Sequence, residues 1–247
     1  ISCAFRRPNE LLTSPPRLLP ASPTVSSFIH VLFETEVPRY FMNSVIIATT
    51  ATVLCICVAI PAAYSFARHN YRGKNLVMVC ILLCNMIPQA STLVPLYRAM
   101  DRLQIIDTHF GIAFTHLLCM LPFSIIMLKG FIRTIPPTLE EAAMIDGCTK
   151  LQAIFKIIVP VCSSGIFATA MYAFMISWEE FLYAMTFSTS SRARTISIGL
   201  KMFSTEFKVD WSSILAAATL MTLPILILFF MIQDTFIKGA TNGALKE

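Results

Sequence analysis

Hydrocarbon side chains in this sequence come in long runs, not at alternate or every third position. Five windows, 40–67, 75–97, 108–128, 157–178 and 211–233, contain no Asp, Glu, Lys or Arg. Each is long enough to cross a hydrocarbon core, which takes about 20 residues at about 1.5 Å per residue. The pattern predicts an all-α polytopic membrane protein with five transmembrane helices. An odd number of spans puts the two ends on opposite sides.

The stretches between the windows predict the rest of the layout. Residues 1–39 carry Pro8, Pro15, Pro16, Pro20, Pro23 and Pro38 and read as an extended external segment. Ile1 is not an initiator Met, and no signal peptide or opening span is visible, which reads as a missing first helix. The spanning domain is expected over 40–236, with one long polar loop at 132–160 and a tail at 237–247. Positive charge orients the chain weakly. Arg68, Arg72 and Lys74, in "ARHNYRGKN", form the best inside signal.

Composition agrees with the pattern and narrows the chemistry. The chain is 56% hydrophobic and 13% charged, with mean hydropathy +0.70, against about 25% charge in soluble domains. The net charge of +5 is dispersed, so nucleic acid is not implied. Of the cysteines, 55, 57, 80, 84, 119 and 162 lie in apolar windows, with no CxxC and no metal-ligand spacing. They read as small apolar filler. The four histidines are scattered.

The polar loop carries the most specific signal. In "PPTLEEAAMIDG", Thr138 and Glu141 have capping-box spacing, and Gly147 can take the left-handed conformation that ends a helix. A helix is therefore expected over 139–146. Thr149 and Gln152 form a second capping box, opening "KLQAIFKIIVP", which enters the membrane at Pro160. Leu139, Ala142, Ala143 and Asp146 share one face by the three-four spacing. The two alanines there would let a partner approach closely, while Glu140 and Glu141 sit at the helix's positive end. The simpler alternative is an interfacial helix joining two spans.

The pattern Glu141-Ala142-Ala143, three residues, Gly147, nine residues, then Ile157-x-Val159-Pro160 resembles the EAA loop of ABC importer permeases. Val159 stands where that family usually has Leu. "NSVIIATTATVLCICVAIPAAYSFARHNYRGKN", "IPQASTLVPLY", "SWEEFLYAMTF" and "GATNGALKE" resemble stretches of maltose-type carbohydrate permeases. The resemblance implies a type I permease fold of which this chain carries spans two to six. It further implies a bacterial or archaeal plasma (inner) membrane, a second and different permease subunit, two cytoplasmic ATPase subunits and an extracytoplasmic solute-binding protein. Glu140, Glu141, Ala142, Ala143, Asp146 and Gly147 would couple to an ATPase. Thr241, Asn242, Gly243 and Lys246 would reach the ATPase pair from the tail, unless that tail is simply frayed. No nucleotide-binding loop occurs, since Gly73-Lys74 is followed by Asn75 and lacks the upstream glycine. No cofactor is expected on this chain, and ATP with Mg would sit on the partner.

Polar groups inside a span are costly and face a partner or a cavity. Asn85, Gln89, Ser91 and Thr92 near Pro88, and Trp178, Glu179, Glu180 and Tyr183, are the candidates for a solute path. Aromatic faces beside carboxylates suit sugar rings. Helix packing or anchoring at the membrane surface is the alternative. Glu179 stands where the family commonly has Asn. Arg98, Asp101, Arg102 and Asp107 in one external loop, and Arg192, Arg194, Lys201 and Lys208 in another, are either solvated faces or docking surfaces for a binding protein. Other solutes, such as glycerol phosphate, a polyamine or a peptide, remain alternatives within transport. A proton-coupled carrier would want carboxylates buried mid-span, which the windows are expected to lack. A membrane enzyme would want clustered His, Cys or acid residues, and no nucleophile accompanies Glu179 and Glu180.

Overall fold

The structure is a computed structural model and describes residues 2–7, 10, 19–205 and 209–244, with side chains described as far as residue 230. Eleven helices order the described chain: α1 (Ser26–Phe33), α2 (Val37–Arg68), α3 (Lys74–Cys84), α4 (Gln89–Arg102), α5 (His109–Arg133), α6 (Thr138–Ile145), α7 (Lys150–Val161), α8 (Ser163–Glu179), α9 (Leu182–Phe187), α10 (Ile196–Met202) and α11 (Trp211–Ala244). Among the described residues the β pairing is limited to an isolated bridge between Ser204 and Val209.

Among the described residues three helices are long and apolar enough to cross a membrane unbroken: α2, α5 and the Trp211–Phe230 part of α11. The other two expected spans are bent. Helices α3 and α4 meet at 98°, and α7 and α8 at 81°. Both bends have local causes. Pro88 has no N–H and biases Ile87 away from helical dihedrals, so α3 stops before it. In α7 the turn Ile154–Ile158 is a π-helix and Pro160 follows it, and both features kink helices.

Small side chains let the long helices approach closely. Ala48, Ala51, Cys55, Ala59 and Ala63 recur every three or four residues along α2 and are fully buried. They present a narrow ridge, on which Met120 and Leu128 of α5 pack from one side. Gly165 marks the crossing of α8 over α5: a Cβ there would lie 2.4 Å from Cγ of Phe131. No residue of α3 is buried, so its Leu76, Val79 and Leu83 face outward.

The first 39 residues are not extended throughout, contrary to their proline content. Ser2–Phe5 forms a 3-10 turn, and α1 buries Val31 against α11, in a cluster with Ala216 and Ala217. At the same end of the molecule, Asn43 ties three elements together. Its Nδ2 donates to the carbonyls of Arg192 (3.1 Å) and Arg194 (2.9 Å), and its Oδ1 meets His109 Nε2 at 2.8 Å. Asp107 accepts from Ser190 N (3.1 Å) and Oγ (2.5 Å). It therefore joins the segment between α4 and α5 to the one between α9 and α10 rather than standing free.

Candidate functional site

The polar loop folds as a helix, a glycine turn and a second helix. Helix α6 spans Thr138–Ile145, one residue earlier than expected, and the capping box between Thr138 and Glu141 does not form. The reason lies in Pro136 and Pro137, whose fixed φ suits a first turn. Their carbonyls accept from the N–H groups of Leu139, Glu140 and Glu141 at 3.3, 3.0 and 3.1 Å. The exit is closed by Gly147 at φ +89°. Cys148 N donates to Ala143 O (2.9 Å) and Gly147 N to Met144 O (3.1 Å), which satisfies carbonyls the helix end would leave open. The capping box of Thr149 and Gln152 is present in both directions.

The two alanines do not share a surface, which corrects the expectation of a paired contact. Ala143 is 7% exposed and packed inside the chain, and Glu140 beside it is 6% exposed. Tyr64 OH donates to Glu140 Oε2 at 2.7 Å, and Arg68 Nε to Oε1 at 2.5 Å. Glu140 therefore binds α6 to α2 through both carboxylate oxygens. The outward face consists of Leu139, Glu141, Ala142, Met144, Ile145 and Asp146, with Ile145 86% exposed. Tyr64 was not picked out by sequence, because a tyrosine in an apolar window reads equally well as packing.

A second polar locus lies where α3 breaks into α4. A half-open cavity of about 500 Å³ is lined there by Asn85, Gln89, Thr92, Cys119 and Tyr183 among hydrocarbon side chains such as Leu96 and Leu118. Four of the residues expected along a solute path thus converge: Asn85, Gln89, Thr92 and Tyr183. Gln89 Nε2 donates to Cys119 Sγ in the cavity lining at 3.1 Å. Cys119, read as filler, is part of that wall.

The remaining candidates go elsewhere. Trp178 is 1% exposed and outside the cavity. Its Nε1 donates to Met221 O at 3.1 Å, and its ring lies between Phe174 and Phe41 at centroid distances of 5.7 and 5.5 Å. It fastens α8 to α11. Glu179 is exposed at the end of α8. Glu180, just past the charge-free window 157–178, is buried and stands behind the cavity wall. Its carboxylate accepts from the N–H groups of Tyr183 (2.8 Å) and Ala184 (2.9 Å), so it caps α9. His116 Nε2 lies 3.2 Å from Glu180 Oε2, and its Nδ1 is 2.7 Å from Ser177 Oγ. A histidine and a serine inside apolar windows were the available sequence signal for this trio. Among the described residues no group of His, Cys, Asp or Glu is arranged to hold a metal ion.

The expected tail contacts fall mostly outside the described side chains. The backbone of α11 continues through Thr241, Asn242 and Gly243 to Ala244, and Lys246, like Lys208 between α10 and α11, lies outside the described residues. Of the cations expected beside Lys208, Lys201 Nζ sits 5.6 Å above the Phe181 ring and Arg194 reaches Met202 Sδ at 3.9 Å.

Residues 37–242 match the family of binding-protein-dependent transport system inner membrane components. The chain is 33% identical to the sulfoquinovosyl glycerol transport system permease protein SmoH of Agrobacterium fabrum, over 96% of this chain and 83% of that protein. It is 31% identical to the trehalose/maltose transport system permease protein MalG of Thermococcus litoralis, over 100% and 89%. Identity to the diacetylchitobiose uptake system permease protein DasC of Streptomyces coelicolor is 28%, over 98% and 88%. Its fold is similar to a chain in the crystal structure of a bacterial ABC transporter that imports the acidic polysaccharide alginate, with TM-score 0.81, 20% identity and coverage of 95% and 88%.

Proposed function

The chain belongs to the family of binding-protein-dependent transport system inner membrane components, and from that premise we propose that it forms half of the pathway of an ATP-driven carbohydrate importer. The observation that carries the solute class is the cavity at the α3–α4 break. Its polar groups are amides and hydroxyls, from Asn85, Gln89, Thr92 and Tyr183, and its described lining contains no charged side chain. Neutral donors and acceptors set in hydrocarbon match a sugar, whose hydroxyls seek hydrogen bonds and whose CH faces seek apolar contact. A polyamine or a phosphate ester would call for countercharges. The relatives named for sugars or sugar conjugates support the same reading.

The energy would come from outside the chain. The outward face of α6, from Leu139 to Asp146, offers a short, rigid, largely apolar surface on which an ATPase subunit can seat, with ATP and Mg bound there and not here. A second permease, different from this one, would close the open side of the cavity, and an extracytoplasmic binding protein would deliver the solute to the outer loops. The buried Glu180 caps α9 and serves the cavity wall, so it supplies no separate argument for an ion-coupled carrier.

The test is reconstitution of the chain with its partner permease, ATPase subunits and binding protein in liposomes. Neutral mono- or oligosaccharides are expected to stimulate ATP hydrolysis and to accumulate inside. Stimulation by a polyamine, a peptide or glycerol phosphate, and by no carbohydrate, would refute the solute class.

A further inference from the structure

On the reading that α6 seats on an ATPase, we propose that Glu140 is a positioning residue whose clamp to Tyr64 and Arg68 carries the movement of α6 to the span α2. The starting point is an anomaly of burial. Glu140 lies on an eight-residue helix in a polar loop, yet only 6% of it is exposed. Carboxylates at such positions ordinarily point to water. Here both oxygens are taken by α2: Oε2 by the Tyr64 hydroxyl at 2.7 Å and Oε1 by Arg68 Nε at 2.5 Å.

Arg68 does not serve Glu140 alone. One of its terminal nitrogens donates to Ile135 O at 2.7 Å, at the entrance of the loop just beyond α5. Its neighbour His69 places Nε2 at 3.4 Å from Lys150 Nζ, at the start of α7. The C-terminal end of α2 therefore meets the loop before the coupling helix, on it and after it. Tyr64 also packs in the apolar cluster that contains Ile132, Ile135, Ile154 and Ile158. The clamp is thus rooted where α2, α5 and the π-helical turn of α7 meet.

Stability alone does not call for this arrangement. Burying an ion pair costs desolvation, and apolar side chains of similar volume hold a helix as well. What directional bonds add is orientation, since a carboxylate gripped at both oxygens cannot slide or roll. Glu140 and Ala143 form the inward edge of α6, while Glu141, Ala142 and Ile145 form the outward one. A push on the outward edge is delivered to α2 through the inward one. Without the clamp, the Gly147 turn and the Pro136–Pro137 entrance leave α6 free to rock in place.

The experiment uses the complete importer in liposomes, with solute uptake and ATP hydrolysis measured in parallel for Glu140→Gln, Arg68→Met and the double variant. Co-purification of the ATPase is expected for all three, because Glu140 does not belong to the outward face. The solute moved per ATP hydrolysed is expected to fall by about threefold or more in each. The double variant should fall by less than the two single effects combined, since both changes remove the shared bond between Arg68 and Glu140. An unchanged ratio, or uptake and hydrolysis falling in proportion, would overturn the proposal. If Glu140→Gln does not accumulate in the membrane, Tyr64→Phe removes one donor and leaves the Arg68 bond. A smaller fall in the same ratio is then expected, and no fall would overturn the clamp. Failure of the unaltered chain to retain any ATPase would count against the seating of α6 instead.

Discussion

Tyr183 donates its phenolic hydrogen to Thr92 Oγ1 across 2.7 Å of the cavity wall. The direction follows from a second bond, in which Thr92 Oγ1 donates its own hydrogen to Gln89 O at 2.7 Å. A hydroxyl has one hydrogen to give, so in the pair Tyr183 is the donor. This bond joins α9, capped by Glu180, to the broken span at α4 within the cavity lining.

Removing that hydroxyl has a bounded effect. In Tyr183→Phe, Thr92 keeps its bond to Gln89 and no donor is orphaned, so the loss is about 0.5–1.5 kcal/mol. Half-saturation of uptake is expected to shift by about 2- to 10-fold, with the amount of protein in the membrane unchanged. Concentration-dependent uptake of the accepted sugar and of its epimers measures this, and an unaltered profile would remove Tyr183 from the path.

Gly147 makes a conformational demand without a steric one. Its φ is +89°, and a Cβ built there meets nothing within 4 Å. Replacement by Val should therefore cost the left-handed penalty of about 1–2 kcal/mol and tilt α6 relative to α7. Asn tolerates this conformation better. The expected order of coupled uptake is Gly, then Asn, then Val, and equal uptake by all three would contradict the role of the turn.

An acid-sensitive contribution sits at the start of α11. Burial works against ionisation of Asp210, but Ser213 Oγ at 2.6 Å and Ser213 N at 3.2 Å outweigh it and hold the carboxyl below its ordinary value. A lowered carboxyl stabilises the fold above its unfolded-state value, and that contribution fades as pH falls through the lowered one. Asp210→Ala should cost about 1 kcal/mol at neutral pH, as lost helix caps do, and the difference from the native chain should shrink below the ordinary carboxylate range. Thermal unfolding in detergent at several pH values measures it.

The architecture was legible because a span announces itself by the absence of charge over a long run, and five such runs exist. The bends were not, because charge-free windows carry no direction. Pro88 and Pro160 lie in or beside such windows, as do Pro61, Pro122 and Pro224, yet the last three sit inside continuous helices. The EAA pattern located the loop and its glycine turn but could not sort Ala142 from Ala143. That assignment depends on α2 arriving beneath the helix with Tyr64 and Arg68. Trp178 illustrates the reverse error: an aromatic side chain beside carboxylates suggested a sugar contact, and tertiary packing placed it against Phe174 and Met221 O instead.

Seating of the outward face of α6 on a nucleotide-hydrolysing subunit is what the proposed importer requires above all. A photo-reactive amino acid at Ile145, 86% exposed, compared with one at Thr189, in the loop after α9 that Ser190 ties to Asp107 near the start of α5, tests it in intact membranes. Illumination should join the Ile145 variant, and not the Thr189 variant, to the ATPase. Cross-links from Ile145 to lipid or to the external binding protein, with none to an ATPase, would contradict the account.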